Sequence, residues 1–206
     1  MRRRNHVAMI LLLAASTLPA LAFEKGDMEK LLAEKACPRC DLDGAALAKA
    51  SLAGADLQWS DFGKANLREA DLAGANLERA QFAKTDLTRA VLSGANLKDA
   101  YLRKAVLNGA KLDGALLHLA NLRKAALNQA DLSGADLSDA VLVQAEMKGA
   151  KLKGANLAGA QLTRAALCGA DLSDTSVTQE QIDYAHGNAA TRLPAGLKRP
   201  KLWPNC

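Results

Sequence analysis

The residues best suited to chemistry form one short motif, Cys37-Pro38-Arg39-Cys40. Two thiols three residues apart can exchange disulfides with a substrate, or they can close a disulfide with each other. A zinc site would need four ligands, and His118 and His186 lie far along the chain from this pair. The motif therefore leaves two interpretations, a structural disulfide and a thiol–disulfide redox site that uses Cys37 and Cys40.

The rest of the sequence offers no arrangement typical of an enzyme. It shows no Ser/His/Asp constellation, no phosphate-binding loop and no carboxylate pair apart from a regular series of Asp residues. Aromatic residues make up 3% of the chain, whereas hydrophobic residues make up 50%, mostly Ala and Leu. Enzyme cores usually rely on aromatic and branched side chains. We therefore expect a non-enzymatic protein without a cofactor or a metal.

The first 22 residues have the features of a secretory signal. Three arginines at positions 2–4 precede an apolar run over 7–15, and Ala20-Leu21-Ala22 fits a cleavage site before Phe23. The run is too short to span a bilayer. We expect a bacterial periplasmic or secreted protein with no transmembrane segment in the mature chain, in a compartment that permits disulfides.

The net charge limits the partners that this protein can have. The chain carries 27 basic and 22 acidic residues, or +5, and three of the basic residues lie in the leader. The mature chain would keep 24 basic residues, which leaves +2. This balance excludes a strongly acidic mimic of nucleic acid and gives little support to a histone-like binder.

A period of five dominates residues 42 to 172. Every fifth residue is large and apolar, and 24 of these 27 positions hold Leu; the exceptions are Phe62, Phe82 and Met147. Ala stands two residues before the apolar position in 24 of the 27 cases, and Asp or Asn lies between the two in 13. Ala75-Asn76-Leu77-Glu78-Arg79 is one example of this A-(D/N)-L-x-x pattern.

This period excludes the common secondary structures. Five residues advance about 500° around an α-helix, so the leucines would form no stripe. On a flat strand, alternate leucines would face opposite sides because five is odd. A chain that turns a corner every five residues places every Leu and Ala inside, and four such sides close one square coil.

Residues 20 apart should therefore stack in successive coils. Positions 54, 74, 94, 114, 134 and 154 all hold Gly, third in each turn. A type II turn requires φ > 0 at this place, which Gly adopts without steric cost. We predict type II turns along this corner, and we expect the rings of Phe62 and Phe82 to stack.

The repeat resembles the pentapeptide-repeat family throughout its length. The resemblance implies an all-β fold, a right-handed quadrilateral β-helix with short helical caps. We divide the chain into a signal peptide (1–22), an N-terminal capping helix (23–36), the pentapeptide-repeat β-helix (37–175) and a C-terminal helix and tail cap (176–206). The tail from Leu193 to Trp203 resembles one that recurs in the family.

Both ends of such a solenoid must be covered. An amphipathic segment from Asp27 to Ala36 predicts a helix over the first coil, with Asp27 as N-cap. Thr178 and Gln181 predict a capping box for a second helix over 179–186. We expect the apolar tail residues to cover the open end; a ligand pocket there is the alternative. The tail residues are Leu193, Leu197 and Trp203.

The register also assigns the cysteines. Cys37 lies on the Leu register and Cys40 on the Ala register, so both belong to one corner, whose ends lie within about 7 Å. We predict a Cys37–Cys40 disulfide and a second one between Cys168 and Cys206. In relatives the position of His186 is sometimes Cys, which leaves the partner of Cys206 open. C-P-x-C also resembles thioredoxin-type motifs, but that fold needs βαβ elements.

Basic residues stack at one corner and form the basic ladder, Lys64, Lys84, Lys104, Lys124 and Arg164, with Arg103 and Arg123 beside it. This ladder is a candidate edge for an anionic polymer: a glycan, lipid headgroups or nucleic acid. The alternative is a solvated face whose charge Asp61, Glu69 and Asp99 partly offset. No aromatic column accompanies the ladder, which argues against DNA.

Outward apolar residues form a candidate patch for an unknown protein partner, or they are scattered single residues. They are Tyr101, Leu116, Leu119, Val141 and Val143. The capped ends argue against end-to-end dimers, so we expect a monomer.

These patterns favour an exported non-enzymatic repeat scaffold. The first alternative is topoisomerase protection by DNA mimicry, as in the quinolone-resistance members of the family, but the near-neutral charge and the leader argue against it. The second alternative is the redox protein that uses Cys37 and Cys40.

Overall fold

The computed structural model describes residues 25–201 and 203. Parallel β-bridges join residues 20 apart, such as Asp71 to Val91 and Asp131 to Lys151, and bridges run from Ala36 to Arg192. Each is a contact between single residues, and the described part of the chain contains no longer strand. Backbone hydrogen bonds reinforce the stacking: the Leu72 N–H donates to the Val91 carbonyl at 2.7 Å. The predicted coil with four five-residue sides is confirmed.

Each five-residue side ends in a β-turn. The N–H of the inward Ala donates to the carbonyl of the Leu three residues earlier, as in Ala75 to Leu72 at 3.0 Å. The third turn residue has a positive φ at every corner from Arg39 to Asp174. The six stacked glycines have φ between 63° and 70°, which is the positive φ that the predicted type II turns require at this place. The other corners adopt the same conformation, mostly with L-residues, at a cost of about 1 kcal/mol each.

The inward registers form the core. All 27 apolar positions are buried, and so are the Ala positions beside them except Ala50, which is partly exposed. The Phe62 and Phe82 rings stack as predicted, with centroids 5.1 Å apart and planes 3° from parallel. Each buried Leu contributes about 2 kcal/mol, so stability is distributed coil by coil.

Two polar residues on the Ala register are buried with their hydrogen bonds satisfied. The Ser60 hydroxyl donates to the Cys37 carbonyl at 2.6 Å and accepts from the Cys40 N–H at 3.2 Å. The Thr85 hydroxyl donates to the Phe62 carbonyl. These partners explain why hydroxyl groups are tolerated in an otherwise apolar interior.

The N-terminal helix, α1, spans Lys25–Glu34, so it begins and ends two residues earlier than expected. It ends where Lys35 takes a positive φ of 51° and Ala36 enters the first bridge. Asp27 is not the N-cap, because it lies inside the first turn; its carboxylate instead accepts from the Asp41 N–H of the first coil at 2.8 Å. Leu31 is fully buried against that coil, whereas Leu32 is exposed.

The C-terminal helix, α2, spans Gln179–Asp183 and has the predicted capping box between Thr178 and Gln181. It ends before His186, because His186 returns to the coil and bridges Ala166. The helix thus replaces one side of the last coil. The Gln181 amide donates to the carbonyls of Leu157 and Ala160, both at 2.8 Å, and satisfies that edge.

The tail packs on the last coil. Leu193, Leu197 and Trp203 contact the core, and the Trp203 indole N–H donates to the Ile182 carbonyl at 3.3 Å. A Cβ on Gly187 would overlap the Trp203 ring. The apolar tail therefore covers the open end, as expected.

Candidate functional site

The basic ladder is placed by the corners of the solenoid. Each of its five residues is the third residue of a turn, with φ between 54° and 61°, and all five side chains are exposed. Coils of a β-structure stack about 4.8 Å apart, so successive rungs are separated by about that distance. Gln144 interrupts the ladder before Arg164.

Most of the ladder has no acidic partner. Lys64 pairs with Asp43 at 3.1 Å, but none of the salt bridges among residues 25–201 and 203 includes the next three lysines or the two adjoining arginines. We call these five residues the basic cluster. Its members are Lys84, Arg103, Lys104, Arg123 and Lys124.

The acidic residues expected to offset the ladder bind elsewhere. Asp99 pairs with Arg79 at 3.3 Å, and Glu69 pairs with Lys49 at 3.7 Å. The Asp61 carboxylate accepts from the Gly63 N–H at 2.8 Å. None of the three forms a salt bridge with a ladder residue within residues 25–201 and 203, so the partial offset expected from them does not take the form of ion pairs.

From residue 81 onward, the side of the solenoid that carries the cluster lacks acidic residues. This basic face consists of residues 81–84, 101–104, 121–124, 141–144 and 161–164, and none of its side chains is Asp or Glu. Its first residues stack directly: Tyr101 bridges Asn121, and Asn121 bridges Val141. Towards the N-terminus the same side becomes acidic, with Asp41, Asp43 and Asp61. A shallow groove of about 240 Å³ lies within the basic face, lined by Ala83, Lys84, Tyr101, Arg103 and Lys104.

The five residues of the candidate apolar patch do not form one continuous surface. Leu116 and Leu119 are 38% and 49% exposed and share one coil. Tyr101, Val141 and Val143 lie on the basic face and are partly exposed.

Polar residues separate the members of the patch. Asn121 lies between Tyr101 and Val141 in their column. Leu116 interrupts a column whose members on both sides of it are hydrogen-bonded amides and carboxylates. Asn96 bonds to Asn76 at 3.1 Å, and Asn156 bonds to Asp136 at 3.0 Å.

The Cys37–Cys40 motif is buried inside the first coil. The two cysteines form a close pair, with 5.5 Å between the Cα atoms, and the residues are only 0% and 3% exposed. Asp27 brings a carboxylate oxygen within 4.8 Å of both sulfurs, but a disulfide leaves no thiolate to bind a metal. A redox partner would have to displace α1 to reach this pair.

Cys168 is also buried. Its expected partner, Cys206, lies outside the described residues, so the pairing stays a prediction. The predicted signal peptide at 1–22 lies outside the described residues as well.

Sequence reasoning missed a second charged column, on another side of the coil. This alternating column consists of Lys111, Asp131, Lys151, Asp171 and Arg192. Lys151 pairs with Asp131 at 3.2 Å, and Arg192 pairs with Asp171 at 3.4 Å. The spacing of one coil, applied to opposite charges, would have found most of it.

A serine two residues after each Asp of the alternating column donates a hydrogen bond to its carboxylate. The Ser133 hydroxyl donates to Asp131 at 2.7 Å, and the Ser173 hydroxyl donates to Asp171 at 2.6 Å. Partial burial alone would raise the pKa of Asp131, but the Ser133 hydrogen bonds and Lys151 outweigh it and hold that pKa below its usual range. The Ser173 hydroxyl and backbone N–H lower the pKa of Asp171.

Two exposed aromatic residues were also missed as surface features. Trp59 stacks under Arg79, whose guanidinium carbon lies 4.7 Å from the ring centroid. Tyr184 lines a groove of about 410 Å³ with Arg164, His186 and Trp203 at the C-terminal end. Trp59 and Arg79 are 20 residues apart, so the coil period could have predicted their contact.

Comparison with known proteins decides the family. A model of pentapeptide repeats matches the chain in overlapping segments from residue 39 to residue 174. The chain belongs to the pentapeptide-repeat family. Members of this family form a right-handed β-helix, which agrees with the stacked coils described above. No curated protein sequence matches the chain.

Among solved structures, the chain is similar to HetL, a pentapeptide repeat protein involved in heterocyst differentiation regulation in the cyanobacterium Nostoc sp. strain PCC 7120. The identity is 29%, over 84% of this chain and 92% of HetL, with a TM-score of 0.61. A pentapeptide repeat protein from the Arabidopsis thaliana thylakoid lumen is 28% identical over 66% of this chain and 79% of its own, with a TM-score of 0.32.

QnrB1, a plasmid-mediated fluoroquinolone resistance protein, is 17% identical over 74% of this chain and 91% of its own, with a TM-score of 0.37. Of these three likenesses, HetL alone has a TM-score above 0.5, and it supports the fold. No helix within residues 25–201 and 203 is long and apolar enough to cross a membrane.

Proposed function

We propose that this pentapeptide-repeat protein is an exported, non-enzymatic scaffold that binds an anionic partner through its basic cluster. One observation carries the proposal: five exposed basic residues, which take part in none of the salt bridges among the described residues, stand together on three successive coils. They lie on a face without acidic side chains, in a chain that is otherwise close to neutral.

The arrangement has an electrostatic cost that an anionic partner would remove. Two like charges about 5 Å apart repel by about 1 kcal/mol in water before salt screens them. The alternating column demonstrates that the same backbone accepts acidic and basic residues in turn. The fold therefore does not force the repulsion within the cluster, and binding an anion would relieve it.

Both alternative functions have less support. Thiol–disulfide exchange needs an accessible sulfur, whereas Cys37 and Cys40 are buried under α1. We propose instead that this pair is a structural disulfide, formed after export, that holds the first coil. A DNA mimic would need a strongly acidic surface, and the extended charged face of this protein is basic.

The test of anion binding is retention on immobilised heparin as a function of salt, with processed protein recovered from cells that express the full chain. In the cluster variant, Lys84, Lys104 and Lys124 are replaced by Gln. The control variant carries the same replacement at Lys98, Lys111 and Lys148, exposed lysines that lie off the basic face. We expect about tenfold or more weaker binding in the cluster variant and a change below about twofold in the control.

Equal losses in both variants would mean that net charge alone causes retention, and an unchanged cluster variant would reject the site. Export is tested separately with the same cells. A periplasmic or secreted product that begins at Phe23 would support it, and an intact chain that stays in the cytoplasm would contradict it.

A further inference from the structure

We infer that the basic face docks onto an anionic phospholipid bilayer. This inference rests on the proposed function, because it names the anionic partner of the basic cluster.

The shape of the cluster suits a planar partner. Arg103 and Arg123 immediately precede Lys104 and Lys124, so the charges form two adjacent rows over three coils. Because the coils stack directly, the rows run along the same side of the solenoid. A planar surface can meet all five charges at once, whereas a narrow chain would follow one row.

The spacing of the rungs favours a partner whose charges can move. The rungs repeat about every 4.8 Å, whereas each strand of B-form DNA carries a phosphate about every 3.4 Å along its axis. The phosphates of a rigid polymer would therefore not stay opposite successive rungs. Lipids diffuse laterally, so their headgroups can gather opposite cations at any spacing.

Apolar residues share the face with the basic cluster. Tyr101 lines the groove between Lys84 and Lys104, and Val141 and Val143 occupy the next coil after Arg123. Tyrosine, with an apolar ring and a polar hydroxyl, is typical of membrane interfaces. A single strand of nucleic acid would instead need stacked aromatic residues, but Asn121 follows Tyr101 in its column.

The distribution of charge along this side also sets which coils make contact. Asp41, Asp43 and Asp61 lie at its N-terminal end, where an anionic surface would repel them. Docking would therefore use the coils from residue 81 onward.

The experiment measures co-sedimentation of the processed protein with two kinds of vesicle, phosphatidylcholine alone and phosphatidylcholine mixed two to one with the anionic lipid phosphatidylglycerol. We expect binding to the anionic vesicles alone. Each Lys or Arg near an anionic leaflet increases affinity about fivefold, so the cluster variant should bind about 100-fold more weakly.

A second variant separates a membrane from other anions. Tyr101→Ser with Val143→Ser should weaken vesicle binding about tenfold and leave heparin retention unchanged, which also verifies folding. The matched control is Leu116→Ser with Leu119→Ser, an exposed apolar pair off the basic face, and it should bind vesicles normally.

The outcomes distinguish the inference from the proposed function. Retention on heparin through the cluster, without vesicle binding, would overturn the membrane inference and leave anion binding in place. Tighter binding of soluble polyphosphate or single-stranded DNA than of vesicles, with no effect of the Tyr101 variant, would assign the face to a free polymer. Failure to bind any of these anions would overturn both.

Discussion

The alternating column and the basic cluster occupy different sides of the same solenoid. Opposite charges alternate from coil to coil in the column, whereas like charges stack in the cluster. In the column, Asp131 and Asp171 each meet a cation of the next coil, at 3.2 and 3.4 Å. In the cluster, lysines stack on lysines without a salt bridge in the described part of the chain. Because the backbone is the same under both, the difference belongs to the outward side chains and not to the fold.

The two regions also differ at their corners. The corner beside the alternating column holds the six stacked glycines, whereas the corner of the basic cluster holds lysines with the same positive φ. The solenoid thus accepts long charged side chains in a strained conformation at the corner where the cluster needs them. The strain of a positive φ at a corner can therefore be measured separately from the repulsion between stacked charges.

The largest effect should come from the shared interior, which lies beneath both regions. Leu102 lies under the cluster and Leu132 under the column, and both are buried. The variants are Leu102→Ala and Leu132→Ala. Each should lower the free energy of unfolding by about 2–5 kcal/mol through lost burial and a residual cavity, measured by urea denaturation. A large cost under one region and none under the other would contradict a common core.

The next effect comes from giving the alternating column the pattern of the basic cluster. Asp131→Lys would remove the hydrogen bonds from Ser133 and place a third lysine between Lys111 and Lys151. We expect a loss of about 1–2 kcal/mol in the free energy of unfolding. Asp131→Asn, which keeps an acceptor for Ser133, is the control and should lose less; an equal loss would attribute the effect to the turn and not to charge.

The coil period predicted most of the fold because a solenoid converts sequence separation into contact. It placed the Phe62–Phe82 stack, the inward registers and the glycine corner. It also implies the Arg79–Asp99 and Lys49–Glu69 pairs, which occupy two of the acidic residues expected to offset part of the ladder's charge. The pairs were missed because the spacing was applied to like residues and not to opposite charges.

The ends of the two helices were harder to predict because tertiary contacts set them. Asp27 reads as an N-cap in isolation, but the Asp41 N–H of the first coil binds its carboxylate. His186 fits a helix by local pattern, but its N–H donates to the Ala165 carbonyl at 2.8 Å and draws it into the last coil. The membrane inference likewise needed the structure, because the absence of ion pairs is a property of neighbouring side chains in space.

The corners should respond asymmetrically to substitution. Gly114→Ala places a Cβ in open space but at a φ of 64°, so it should cost about 1 kcal/mol by conformation alone. Lys104→Gly removes a comparable strain but adds freedom to the unfolded chain, so it should change stability little. Thermal unfolding of both variants measures this, and a harmless Gly114→Ala would contradict the strain assigned to the lysine corner.

Acid should affect the column more than the cluster. The folded pKa values of Asp131 and Asp171 lie below the usual range, so their contribution is complete above about pH 4 and disappears as pH falls through the folded pKa. We expect the urea midpoint to be steady from about pH 7 to 5 and to drop below about pH 4. Asp131→Asn with Asp171→Asn should reduce that drop, and an unchanged drop would assign acid sensitivity to other carboxylates.

The smallest effect should reveal the repulsion within the cluster directly. Salt screens exposed charges over about 10 Å at 0.1 M, so raising NaCl from about 10 to 150 mM should stabilise the wild-type protein by a few tenths of a kcal/mol. Lys104→Glu would place an acid between Lys84 and Lys124, as Asp131 lies between two lysines in the column. That variant should be slightly more stable at low salt and should lose the salt response. If it instead gains stability with salt as the wild type does, the lysines already fan apart, and relief of repulsion no longer favours binding.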